Sequence, residues 1–273
     1  MSSLLSAAPA DGHVTGHESE SPQPDATAAV LLAGPALLLL VLVLHHPVLP
    51  SGPTVGRAAE GVAAGIVHLG PALASVHGAM LVLLAAQTLG YARFSARLGW
   101  GRLPVAAGFL AYAAGAGLAA VPALLDGFVT PVLAAACLRA AAAAAGAVAG
   151  ARECSAADGA SLRLVAVVIQ VFTKAGLLLL CAAAGAWGVA LLRGAGDLPG
   201  APAAHRTSRA RRRAVGLLGI ACAAVPAAVL VAAEVWLRPG NLAALLAAQS
   251  VWACAAATLL AGSPAPGRAP AHP

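Results

Sequence analysis

Histidine and acidic side chains occur at the edges of, or inside, stretches that otherwise hold almost only apolar residues. His45 and His46 close the first long apolar run, His68 and His77 lie within the second, Asp126 follows the third, and Glu234 comes near the end of the fifth. Imidazole and carboxylate together suit zinc, copper or iron, and bundle metal sites draw their ligands from several helices. His45, His46, His68 and Asp126 are therefore the candidate metal ligands, with a transition-metal ion as the candidate cofactor. Bis-histidine haem is a narrower form of this reading, using His45 or His46 with His68. There is no CxxCH for covalent haem attachment. A protonatable or small-molecule site, or simple solvation at a membrane interface, accounts for the same residues without a metal.

A second group could hold a ligand or relay charge: His77, Lys174, Gln170 and Glu234. At about 1.5 Å and 100° per residue, His68 and His77 are roughly 13.5 Å apart along a helix and on opposite faces. They cannot share one ligand. Ala63, Gly70 and Ala74 fall near the His77 face, and small residues let another helix approach. His77 is thus expected to point into a bundle, with Ile66 and Leu73 on the same side leaving a lipid-facing alternative. Arg163, Gln170, Lys174 and Cys181 are spaced seven, four and seven, which keeps them on one side of a helix. Lys174 is the only lysine of the chain. It falls about 20 Å below the outer entry of a helix starting near residue 161, and ionisable groups at depth face a partner or a wet cavity. A mid-membrane layer of His77, Lys174 and Gln170, with Gln249 somewhat shallower, is the expectation. A neutral lysine in a structural hydrogen-bond network is the alternative.

The elements that must position these groups are membrane helices. The 273 residues are 60% hydrophobic and 10% charged, with mean hydropathy +0.86, far below the roughly 25% charge of soluble domains. Runs of about 20 apolar residues can each cross a hydrocarbon core of about 30 Å, and the absence of alternating ten-residue segments argues against a β-barrel. The fold class expected is an all-α transmembrane bundle. Six spans are read over residues 28–44, 61–90, 103–125, 161–192, 215–237 and 241–261. They make up a membrane domain of residues 28–262, between a disordered tail (1–27) and a Pro-rich tail (263–273).

Two segments are ambiguous. Asp126-Gly127-Phe128-Val129-Thr130-Pro131 mixes turn formers with a proline and reads as a helix end or a break. Residues 132–160 favour helix but are mostly alanine, which adds little membrane transfer energy, so a surface or partly embedded helix is expected, with a seventh span as the alternative.

The net charge of +6 sits in short clusters beside apolar runs, where arginine sets orientation, so no nucleic-acid partner is expected. Arginines after spans two and four put those loops, and both termini, in the cytoplasm; Arg139 and Arg152 then fall outside. The cysteines are scattered singly, without metal spacing. Cys181, Cys222 and Cys254 lie in spans as small hydrophobes, and Cys137 with Cys154 is the one pair that could share an extramembrane face. No Walker loop, HExxH, GxSxG or dinucleotide-binding turn is present.

His46-Pro47 closing the first span, His77-Gly78 in the second, an Arg-bearing loop, and Asp126 to Pro131 after the third together resemble a loose group of bacterial multi-pass membrane proteins with no established activity. The resemblance covers about the first half of the chain. It implies topology and brings no catalytic residues. The reading is a bacterial cytoplasmic-membrane protein, not evidently an enzyme, that binds or helps move a metal ion or small polar ligand at a pocket facing outward. An accessory subunit packed against a membrane partner or a second copy of itself is the main rival, favoured by the small pairs Gly61/Gly65 and Gly70/Ala74. An intramembrane haem redox protein is the third reading.

Overall fold

Alanine, leucine and arginine, the strongest helix formers, dominate the chain between its Pro- and Gly-rich joints. The computed structural model describes residues 26–44, 57–147, 156–194, 203–232 and 239–261, with 57–60, 144–147, 156–158, 203–206 and 239 as backbone only. The described residues are almost entirely helical: α1 (Ala26–Leu44), α2 (Arg57–Leu98), α3 (Leu103–Leu124), a π-helical turn (Leu125–Val129), α4 (Thr130–Ala147), α5 (Ala156–Arg193), α6 (Ala203–Ala232) and α7 (Pro239–Ala261). They include six rods long and apolar enough to cross a membrane, with α3, the π turn and α4 forming one of them. The chain is an all-helical, multi-pass membrane protein.

Joining α3 to α4 corrects the sequence reading of Asp126 to Pro131. The segment neither ends nor breaks the helix; it widens one turn of a continuous rod, Leu103–Ala143. The alanine-rich stretch that follows is therefore the far end of span three, and the described part of it is neither a separate surface helix nor a seventh span.

Three rods are about twice as long as a bilayer requires. α2 has 42 residues, Leu103–Ala143 has 41 and α5 has 38, against roughly 20 for a hydrocarbon core. One set of ends is held level. Gly99 takes φ 92°, a conformation that favours glycine, and its N–H donates to Ser95 and Ala96 carbonyls at 3.0 and 3.2 Å, closing α2. Four residues later α3 begins at Leu103 with Pro104 in its first turn. The Arg102 guanidinium lies against Gly194, at the end of α5. The surplus, about 20 residues or 30 Å per rod, consequently projects at the opposite end. There α2 and α4 pack through a small separate core of Ala63, Ile66, Ala134 and Cys137. Exposed His68, Arg139 and Arg163 stud this overhang.

Within the main bundle, α3 packs on α5, α5 on α6, and α1 on both α7 and α2. Contact is close because glycines line the seams. A Cβ on Gly115 or Gly176 would lie 2.9 Å from the other's carbonyl oxygen; Gly188 and Gly216 meet at 2.7 and 2.9 Å. Such approach maximises dispersion contact where lipid offers no hydrophobic contrast. Serine adds a directional link, Ser250 Oγ donating to the Ala36 carbonyl of α1 at 2.9 Å. Outward faces carry Val30, Val82, Leu103, Leu110, Leu217 and Val231, all well exposed. The C-terminus of α7 is capped by arginines: Arg97 donates to the Leu260 carbonyl at 2.9 Å and Arg211 to that of Thr258 at 2.6 Å.

Candidate functional site

His77 lies midway along α2 and is only 5% exposed. Its Nδ1 is 2.8 Å from the Leu73 carbonyl oxygen, one turn earlier in the same helix. A carbonyl can only accept, so Nδ1 carries a hydrogen and donates it; the tautomer is assigned by that partner. The other nitrogen, Nε2, faces Oδ2 of Asp126 at 3.3 Å. A bare Nε2 against a bare carboxylate would set two lone pairs against each other. A proton on Nε2 would instead be donated to Asp126 Oδ2, pairing imidazolium with carboxylate.

The chain makes room for this contact with glycine and a widened turn. Gly127 is buried beside Asp126, and a Cβ there would stand 2.6 Å from the His77 Cβ and 3.0 Å from its Cγ. Only glycine fits without displacement. Pro131 lacks an N–H and its ring would crowd the carbonyl four residues back, that of Gly127. The π turn accommodates it: the Thr130 N–H and hydroxyl both reach back five residues to the Leu125 carbonyl, the hydroxyl at 2.9 Å. Turns of this kind concentrate at functional sites. Further along α2, Gly78 faces Phe128 and Gly70 faces Pro131, so α2 runs flush beside the turn.

The α3–α5 seam sets the level of the remaining polar residues. Gly108 meets Trp187, Gly115 meets Leu179 and Leu180, and Ala119 meets Gly176. Extended along the antiparallel helices, this register sets Gln170 about level with Asp126, and Lys174 about one turn, or 6 Å, nearer the arginine-bearing end. Both side chains are half-buried. His77, Gln170 and Lys174 thus lie at similar levels along their helices. Asp126, assigned from sequence to an outer group with His68, joins His77. His77 lies about 30 Å from Arg97 along α2. Gln249 sits apart, its Nε2 3.6 Å from Cys181 Sγ.

His68 is exposed on α2, as its offset from His77 requires. His45, His46 and Glu234 lie outside the described residues. Among the described residues no group of three or more His, Cys, Asp or Glu side chains converges. His77 and Asp126 alone supply two donors, short of the three or four protein ligands of a zinc site.

A buried polar and aromatic cluster nearer the arginine end did not emerge from the sequence. Tyr112 donates to Gln87 Oε1 at 3.1 Å, Tyr91 stacks on Trp187 at 4.5 Å between centroids, and the Trp187 indole donates to Ser95 Oγ at 3.1 Å. Gln87, Tyr91 and Ser95 recur every four residues on one α2 face, which was the available signal. Cys137 is disulfide-bonded, whereas Cys181, Cys222 and Cys254 are free. Cys154, the cysteine that could share its extramembrane face, lies outside the described residues.

No family model matches the chain, and neither a curated protein nor a solved structure is detectably similar. Fold and site define a multi-pass α-helical membrane protein with a His–Asp pair at the foot of a three-rod overhang.

Proposed function

We propose that this protein binds a small cationic or polar solute at an outward-facing pocket of the bacterial cytoplasmic membrane, with His77 and Asp126 as its proton-linked element. The observation carrying the reading is the His–Asp contact: His77 Nε2 is 3.3 Å from Asp126 Oδ2 while Nδ1 is tied to Leu73, so a proton on Nε2 is held against the carboxylate. A cation arriving at Asp126 takes the place of the proton on His77 Nε2, which leaves to solvent, so cation binding and proton release are coupled. Gln170 and Lys174, at or just below this level, supply further polar contacts. Two independent features support the orientation. Arginine gathers at Arg93, Arg97, Arg102 and Arg193, the cytoplasmic signature, while the disulfide-bonded Cys137 sits at the opposite end, and disulfides persist in oxidising compartments. The resemblance to bacterial multi-pass proteins belongs to this proposal, since His77-Gly78 and Asp126-Gly127 are two of its motifs.

The test is proton release. Zn²⁺ or Mn²⁺ added to lightly buffered, detergent-purified protein should release about one proton per ion bound, and none from Asp126→Asn. Binding that is unchanged in both His77→Ala and Asp126→Asn removes the reading. The accessory-subunit alternative is favoured by Gly61 on the overhang, where an added Cβ would meet nothing within 4 Å among the described residues; Gly61→Leu should then release a co-purifying partner without altering proton release.

A further inference from the structure

At the arginine-bearing end, the mouth of the α3–α5 seam holds a cleft of about 370 Å³ lined by Arg102, Pro104, Ala190, Arg193 and Gly194. Both arginines are exposed, and neither forms an ion pair among the described residues. Arg102 occupies the N-cap position of α3 but its side chain makes no capping hydrogen bond. Its guanidinium instead folds over Gly194, where a Cβ would come within 2.8 Å of Nη1. The positive N-terminus of α3 and the negative C-terminus of α5 meet here and largely cancel. Two guanidinium charges remain over an apolar floor of Pro104 and Ala190.

The surroundings belong to a membrane surface. Leu103, 81% exposed, leaves the same turn as Arg102, and Trp100, 44% exposed, packs edge-on against Phe109 at 5.0 Å. A leucine so bare is satisfied by acyl chains, and tryptophan favours the headgroup level. A phosphate diester seated between the two guanidiniums would have its glycerol and chains directed along Leu103. We infer that this cleft is a binding site for the headgroup of an anionic phospholipid in the leaflet on the arginine side. The inference needs only the fold and does not depend on the His77 site.

Native mass spectrometry of full-length protein taken from nanodiscs of equal phosphatidylglycerol and phosphatidylcholine tests it. Wild type should retain one phosphatidylglycerol in preference to phosphatidylcholine. Each arginine lost should lower that preference about fivefold, and R102Q/R193Q about 25-fold. R193Q alone serves if the double variant fails to fold. R93Q/R212Q removes equal charge from the same end outside the cleft and should leave the retained lipid in place. Equal retention in R102Q/R193Q, equal loss in R93Q/R212Q, or no preference in wild type overturns the assignment. So does displacement of the lipid by millimolar inorganic phosphate, which would identify a site for soluble phosphate.

Discussion

His77 Nε2 and Asp126 Oδ2 face each other at 3.3 Å across the α2–π-turn contact, with the imidazole's other nitrogen already tied to Leu73. This pair links two rods that otherwise touch there through glycine. A double-mutant cycle of His77→Ala and Asp126→Ala, read by thermal unfolding in detergent, should give a coupling of about 0.6–1.7 kcal/mol, the range for polar pairs between membrane helices. Effects that add to within about 0.3 kcal/mol would mean the two side chains do not interact.

Gly127→Ala attacks the same contact by volume, without touching either polar group. Its Cβ would lie 2.6 Å from the His77 Cβ, so α2 and the π turn must separate, at about 1–3 kcal/mol for an overpacked site. Gly61→Ala, with nothing within 4 Å, should be close to neutral. Equal unfolding temperatures for the two variants would refute the close approach.

The existence of the helices was legible in the sequence because six apolar runs meet the length a bilayer imposes. The inward aim of His77 was also legible, from Ala63, Gly70 and Ala74 around it. Its partner was not. Periodicity treats Asp126 to Pro131 as an interruption, since glycine and proline weaken helices, and only tertiary packing decides that the helix continues with one wide turn.

Gly176→Ala tests the seam that sets the level of Gln170 and Lys174. The new methyl would meet the Gly115 carbonyl at 2.9 Å and should cost about 1–3 kcal/mol. Gly117→Ala, on the same helix as Gly115 but with open space around it, is the control. Comparable losses at both positions would rule out glycine-mediated contact between α3 and α5.

Thiol chemistry reports the disulfide. Cys137, bonded as a disulfide and fully buried, should resist maleimide in denaturant until a reductant is added, and Cys154→Ser should make it reactive in denaturant without reductant. Alkylation of Cys137 in unreduced, denatured wild type would contradict the disulfide.

The π turn also fixes rotational phase. One extra residue in a helix advances everything after it by about 100°. Ala134, Cys137 and Ala141, spaced three and four and all buried, lie on the α4 face that this advance produces. Ala134 and Cys137 belong to the overhang's own core with α2. Deleting a single residue between Leu125 and Val129 would restore a regular helix and swing that face about a quarter turn away. The widened turn beside His77 thus works as an index mark: it keys the outer half of the rod to the inner half, so the proton-holding pair and the disulfide-bearing face stay in step.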